Sequence, residues 1–378
     1  MNEIIELFKK VLTESPEKSV KGMEKFLNVL LQLERDNYLQ RGRYERKTTD
    51  FQDYRNGYKS RSLQTRFGNL ILNKPQTRKG FQSEFFNRYQ RSEQSIILSC
   101  AEMYLNGVST RKVSKLVDNV FGLDVSAATI SNYTKQLDDA VKLWRNTPLD
   151  SYYQYLFVDA TYIKVREANK VVSKAVYIAI GVSKEGRYRI LGFTVLGEES
   201  EKNWLKFFNN LKERGLLQID LIISDKHAGL VKAINKTFLN TEWQRCIFHF
   251  KQNFLKQVPK KRIREFDSRL NLIFSQLSKE ESRSEGMKQV EYLSANGYEK
   301  LAEYLENAIE EIIVYKGFDE RHWQRIRTTN KLERLNQEIK RRTKIIRIFP
   351  DINSVNRCIG YILKEIDEKW MTGNKVFR

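Results

Sequence analysis

Apolar residues recur along this chain with two different periods, and the switches between them divide it. In the first forty residues the spacing is helical: Ile4, Leu7, Phe8 and Val11, then Val20, Met23, Phe26, Leu27 and Leu30, parted by Ser15-Pro16. A helical hairpin over residues 1–40 is expected, its stripe serving as core or as a dimer contact. Residues 41–92 are polar and turn-rich, with Tyr44, Phe51, Tyr54, Tyr58 and Phe67 set between charges and one short strand expected at Asn69–Leu72. Residues 93–148 return to the helical period. Ile96, Ile97, Ala101 and Tyr104 run to Gly107; Ser109 caps Val113, Leu116, Val117 and Val120, closed by Gly122; Ser126 caps Ile130, Tyr133 and Leu137. Three helices so spaced predict a helix-turn-helix, with Ala127, Ser131, Asn132 and Lys135 facing a major groove. A plain packing module is the other reading.

After Pro148 the period becomes two. Strands are expected at 155–166, 175–182 and 187–196, a meander turned at Lys184-Glu185-Gly186. Ser200 then caps a helix carrying Trp204, Phe207, Phe208 and Leu211 as far as Gly215; the strand Ile219–Ser224, a helix from Ala228 and a strand at Glu242–Ile247 follow. Three meander strands, helix, strand, helix, strand is the order of a ribonuclease-H-like α/β domain. From Phe250 to Tyr315 the pattern is all helical, as in Phe266, Leu270, Ile273 and Leu277, so an all-α insertion interrupts that domain. A helix capped by Thr328 or Thr329, with Leu332, Leu335 and Ile339 inward, resumes it. The expected layout is a first catalytic part at 149–258, an insertion at 259–325 and a second catalytic part at 326–378 with a C-terminal helix.

Within the first strand the odd positions put Asp159 on a face with Phe157, Ile163 and Val165. A carboxylate on an apolar face is costly unless a cation or hydrogen-bond donors compensate it, which makes Asp159 a site candidate. A strand-end aspartate bonded to a neighbouring loop is the alternative. The fourth strand delivers a second carboxylate, Asp225, at its end.

Charge narrows the choice of partner. Lys plus Arg number 67 against 47 Asp plus Glu, a net +20 with a pI near 9.6. The excess is clustered: thirteen basic to four acidic residues between Gln40 and Arg91, ten to two between Arg321 and Arg347. Such an excess favours a polyanion, and with no run approaching the ~18 apolar residues of a membrane span the polyanion expected is nucleic acid. Glu3 and Glu6 do not fit a signal peptide, so a cytoplasmic, nucleoid-associated protein is expected. Cys100, Cys246 and Cys358 are too few and too scattered to suggest a disulfide framework or a four-ligand zinc cluster.

The segments Tyr54-Arg55-Asn56-Gly57-Tyr58, Asp159-Ala160-Thr161-Tyr162, Ile223-Ser224-Asp225, Trp243-Gln244-Arg245-Cys246-Ile247-Phe248-His249, Thr329 to Asn336 and Ile348-Phe349-Pro350 occur in this order over nearly the whole chain. Together they give a chain that resembles the bacterial insertion-sequence branch of the Mutator-type transposases. The resemblance implies a ribonuclease-H-like fold whose Asp159, Asp225 and Glu333 hold two Mg²⁺ or Mn²⁺ ions and cut and join double-stranded DNA at the element's terminal inverted repeats. Two ends must be brought together, so at least a homodimer is expected. Ala160 stands where the family usually shows glycine, which is tolerated if its φ is negative. Glu338 is an alternative third carboxylate, but five residues turn a helix through about 140° relative to Glu333, too far to face the same ions. Asp220 lies about 16 Å up the strand from Asp225 and is set aside.

Cys246 and His249 match a Cys-x-x-His signature of these enzymes, expected to be structural or phosphate-positioning. Trp323 is either core of the insertion or a stacking surface for an exposed base. DNA contacts are expected from Arg55, Lys59 and Arg61, from Ser131, Asn132 and Lys135, and from Lys340, Arg341, Arg342, Lys344 and Arg347. Two other functions fit the fold: a catalytically silent DNA-binding regulator, and a nuclease without strand transfer.

Overall fold

Chain contacts separate two units, Met1–Gln136 and Leu137–Arg378. The computed structural model describes residues 16–39, 53–65, 68–81, 83, 94–105, 107–121 and 125–377. The helix expected over Ile4 to Val11, the basic run from Gln40 to Gln52, Phe67 and the Gly122 stop lie outside the described residues.

In the first unit, helix α1 (Pro16–Tyr38) packs its Leu27 and Leu31 onto Leu63, Leu70 and Leu72 of an antiparallel ribbon, β1 (Arg55–Thr65) and β2 (Gly68–Thr77). A short β-ribbon with one strand placed at Asn69–Leu72 is expected of this segment; the ribbon found is longer. Its exposed side is mostly polar or charged but also carries Tyr58 and Ile71, so the period-two signal of Leu63, Leu70 and Leu72 is broken. Helices α2 (Gln94–Leu105), α3 (Thr110–Phe121) and α4 (Ala127–Thr134) share a small core of Cys100, Val113, Val117, Val125 and Ile130. Ser109 Oγ accepts from Lys112 N at 3.3 Å and Ser126 Oγ from Thr129 N at 3.1 Å, the two caps expected. Helix α4 ends earlier than its apolar pattern implies. The Thr134 hydroxyl donates back to Ser131 O at 2.7 Å, and a 3-10 turn, Lys135–Leu137, follows.

The second unit is built on a mixed five-stranded sheet in the order β5-β4-β3-β6-β7. Its meander is β3 (Tyr152–Glu167), β4 (Lys170–Val182) and β5 (Tyr188–Leu196); β6 (Gln218–Ser224) runs parallel to β3, and β7 (Glu242–Arg245) parallel to β6. Ala168 and Asn169, both at positive φ (46° and 62°), make the tight turn that carries β3 straight into β4. Alternation holds only in the second half of β3, where Thr161, Ile163 and Val165 are buried while Tyr162, Lys164 and Arg166 are exposed; Leu156, Phe157 and Val158 before it are all buried. Asp159 sits where the strand passes from one regime to the other.

Helices α5 (Asp138–Arg145), α6 (Glu201–Glu213) and α7 (Ala228–Thr237) belong to this unit. The Trp204, Phe207, Phe208 and Leu211 stripe of α6 joins Leu230 and Ile234 of α7 against Leu156, Val158, Tyr177 and Ile222. After β7 come the helices α8 (Ile247–Leu255), α9 (Ile263–Ser275), α10 (Lys279–Ala295), α11 (Glu299–Glu306), α12 (Ile309–Ile312) and α13 (Trp323–Ile326). They are tied back to the sheet through Gln244, whose Nε2 donates to Ile312 O at 3.1 Å and whose Oε1 accepts from Tyr315 N at 2.8 Å. Helix α14 (Asn330–Thr343) then packs on β3, and α15 (Ile352–Thr372) on β5 and α5. Among the described residues no helix is long and apolar enough to cross a membrane.

Candidate active site

Parallel pairing of β3 with β6 sets the first two carboxylates side by side. Phe157 pairs with Ile223, so Asp159 and Asp225 each lie two residues beyond the same rung. Asp159 Oδ1 accepts from its neighbour Ala160 N at 2.8 Å, and Oδ2 accepts from Asn336 Nδ2 on α14 at 2.8 Å. Ala160 is not among the residues at positive φ and pairs with Tyr177 in the ladder, so a side chain in the glycine's place is tolerated. Asp225 Oδ1 accepts from His227 N at 3.3 Å.

Glu333 comes from the first turn of α14, three residues before Asn336 and on the same helical face. Its Oε1 is buried with no hydrogen-bond partner, 3.4 Å from His249 Nε2 but not in hydrogen-bonding geometry. Burial, and next the charge of Asp225, push the Asp159 carboxyl from its ordinary 3.8 up to about 7; the Ala160 amide pulls the other way, while Glu199 and Glu333 add to the rise. Three carboxylates named from the sequence thus lie within electrostatic reach of one another.

A fourth joins them. Glu199, in the turn after β5, is raised chiefly by burial and further by Asp225, against the opposing pull of the Trp204 indole N–H (3.0 Å) and of His227, whose Nδ1 is 3.4 Å away. Asn336 and Glu199 were both missed. Glu199 lies in Gly197-Glu198-Glu199-Ser200-Glu201, which reads as a solvated turn, whereas Asn336 could have been found from its i+3 spacing to Glu333.

Cys246 ends β7 and precedes α8, and its buried Sγ accepts from Thr329 N (3.3 Å) and Thr329 Oγ1 (3.2 Å). Thr329 therefore occupies the N-cap of α14 with its hydroxyl turned to sulfur rather than to its own helix. Ile247 N donates to Arg327 O at 3.0 Å, so the starts of α8 and α14 are pinned together and Glu333 is held beside His249. The donor atoms of Cys246, His249 and Glu333 all lie within 4.8 Å of one another.

Glu338 points elsewhere. It pairs with Arg341 (2.7 Å) and Arg342 (2.7 Å), which hold its carboxyl down at about 2. Asp220 accepts from the Tyr152 hydroxyl at 2.6 Å, away from Asp225. Arg342 corrects an expectation: it is buried between Glu338 and Glu365 (2.6 Å), so its charge is already matched inside the fold, while Lys340, Arg341, Lys344 and Arg347 are exposed. Trp323 is half-buried, its Nε1 donating to Phe318 O at 2.8 Å, with Tyr315 edge-on and Lys316 Nζ 4.0 Å from its ring. In the first unit Lys59, Ser131, Asn132 and Lys135 are exposed, Arg61 is partly so, and Arg55 pairs with Asp36 at 3.0 Å.

The carboxylate cluster fits a hard divalent ion. It presents carboxylate oxygens and like charges close enough to lift Asp159, while the orphaned Glu333 Oε1 faces His249.

A family model described as "Transposase, Mutator family" matches residues 3–373. The transposase for insertion sequence element IS256 in transposon Tn4001 of Staphylococcus aureus is 43% identical over 353 residues, 93% of this chain and 90% of the relative. The transposase for ISRM5 of Rhizobium meliloti is 37% identical over 368 residues, covering 97% and 92%, and that for IS1081 of Mycobacterium tuberculosis 35% identical over 353 residues, covering 93% and 85%. Among solved structures, the Drosophila P element transposase strand transfer complex aligns with a TM-score of 0.32 at 13% identity, over 77% of this chain and 80% of that one.

Proposed function

The chain belongs to the Mutator family of transposases, and from that premise we propose that it binds the terminal inverted repeats of its own insertion sequence and cuts and joins DNA with Asp159, Asp225 and Glu333 on a ribonuclease-H-like sheet. The observation that carries this reading is the parallel β3–β6 register that sets Asp159 beside Asp225, with the Glu333 helix fastened to Asp159 through Asn336 at 2.8 Å; burial and the neighbouring carboxylates raise the Asp159 carboxyl accordingly. Like charges are gathered there at a cost to the metal-free fold, as a cation site requires.

Asp159, Asp225 and Glu333 would hold the metal. When bound, a pair of Mg²⁺ or Mn²⁺ ions supplies the charge that activates an attacking oxygen and stabilises the leaving one. The protein's own part is positioning. The Ala160 amide and Asn336 fix the Asp159 carboxylate, and the Cys246–Thr329 contact fixes the start of the helix that presents Glu333. The exposed Lys340, Arg341, Lys344 and Arg347 at the end of that helix and just beyond it supply phosphate contacts. The first unit, with its basic ribbon and a helix-turn-helix of α2 to α4, reads the ends, and a homodimer or larger assembly pairs them in the cytoplasm.

The test is a strand-transfer assay with pre-cleaved ends in Mg²⁺. Product joined to target supports the reading. Binding without cutting would favour a silent regulator, and cutting without joining a nuclease.

A further inference from the structure

We propose that Cys246, His249 and Glu333 form a second, thiophilic metal site, suited to Zn²⁺, which takes Glu333 away from the carboxylate cluster and silences the enzyme. The effect on catalysis rests on the reading of Glu333 as the third catalytic carboxylate; the binding site does not. Its donor set is one thiol, one imidazole and one carboxylate, with all ligating atoms within 4.8 Å. Zn²⁺ sits about 2.0–2.1 Å from nitrogen and oxygen and about 2.3 Å from sulfur, which places tetrahedral donors about 3.3–3.8 Å apart. His249 Nε2 and Glu333 Oε1 are already at 3.4 Å, so only a modest approach of the sulfur is needed.

His249 Nε2 and Glu333 Oε1 already face one another, whereas burial keeps the Cys246 thiol protonated until an ion displaces its proton. Glu333 Oε1 is buried with no hydrogen-bond partner and faces His249. The Cys246 sulfur accepts from both the amide and the hydroxyl of Thr329, contacts that a thiolate strengthens. His249 and Glu333 keep side-chain exposures of 32% and 25%, which gives an ion a way in and leaves the fourth position for water. A buried thiol is a poor partner for Mg²⁺ and a good one for Zn²⁺, so the two ions sort between a sulfur site and an oxygen cluster that share Glu333. On binding, the thiol proton leaves to solvent and the sulfur lone pair bonds the metal.

The experiment titrates the full-length, reduced protein with Co²⁺, a coloured stand-in for Zn²⁺. One equivalent per chain should raise a near-ultraviolet thiolate-to-cobalt charge-transfer band and the strong visible bands of a four-coordinate site; Zn²⁺ should erase both, and Mg²⁺ neither. Cys246→Ser should lose the charge-transfer band. Because Cys246 is buried and that variant risks misfolding, His249→Gln is the second probe. It should keep the sulfur band but weaken Co²⁺ binding by more than the about 10–100-fold that loss of an outer-shell partner costs.

No band in the wild type, a band that survives Cys246→Ser, or unchanged affinity in His249→Gln overturns the site. If Co²⁺ binds as described but saturating Zn²⁺ leaves Mg²⁺-supported cleavage intact, the silencing role is overturned. A Glu333→Gln protein that still cleaves would instead overturn the catalytic assignment, with the cobalt spectrum still deciding the site.

Discussion

Asn336 Nδ2 donates to Asp159 Oδ2 at 2.8 Å, a bond between residues 177 apart in sequence that fastens the helix bearing Glu333 to the strand bearing Asp159. The other amide atom, Asn336 Oδ1, is buried without a partner. Asn336→Ala should therefore leave the fold intact and lower cleavage by roughly 10–100-fold, with more Mg²⁺ needed for half-maximal rate. Single-turnover cleavage across a Mg²⁺ series measures this; a wild-type curve would mean that the bond is incidental.

The Asp159 carboxyl gives a pH dependence whose sign is fixed. Its pKa rises from 3.8 to about 7 on folding, so the metal-free native state binds the proton more tightly than the unfolded one. That contribution to stability is complete below about 3.8 and is lost as pH rises to about 7. Metal-free wild type should lose thermal stability across this window relative to Asp159→Asn, and Mg²⁺ should recover it at neutral pH. Parallel melting curves for the two proteins from pH 4 to 8 would refute the crowding of charge at Asp159.

Glu338→Gln separates the two glutamates of α14. It removes the pairs to Arg341 and Arg342 and leaves buried Arg342 with Glu365 alone. Stability should fall by about 1–3 kcal/mol, the scale of hydrogen bonds to charged groups, while cleavage persists. Loss of cleavage in a variant that melts like wild type would reinstate Glu338 as a site residue.

Along the same helix, buried and exposed cations should part company. Replacing exposed Lys340 and Lys344 by Ala should flatten the salt dependence of DNA binding by about one unit per lost phosphate contact. Arg342→Ala should lower the melting temperature and leave the slope unchanged. The reverse pattern would show that the Arg342 pairs open when DNA binds.

What was legible in the sequence was periodic or local. The strands of the sheet, the caps at Ser109, Ser126 and Ser200, and the run of helices after the last strand could be read from spacing, since each is set by side chains a few residues apart. Asp159 and Asp225 could each be picked out on its own strand, but their proximity rests on the parallel pairing of those two strands, a tertiary fact that local spacing does not carry. Only the short strand at Asn69–Leu72 of the ribbon at 55–77 could be placed, because Tyr58 and Ile71 on its exposed side break the alternation. Arg342 was read as a free cation because its partner Glu365 lies on another helix, 23 residues away. Glu199 was invisible because its burial depends on Trp204 and His227 closing over it, a tertiary fact that its acidic turn does not signal.

The central claim is that Asp159 carries the chemistry, and the most direct measurement is cleavage and joining of end DNA by Asp159→Asn beside a binding assay on the same preparation. The account predicts end binding close to wild type, apo stability held or raised, and no cleaved or joined product in Mg²⁺ or Mn²⁺. Strand cleavage by Asp159→Asn at a rate near wild type would contradict it.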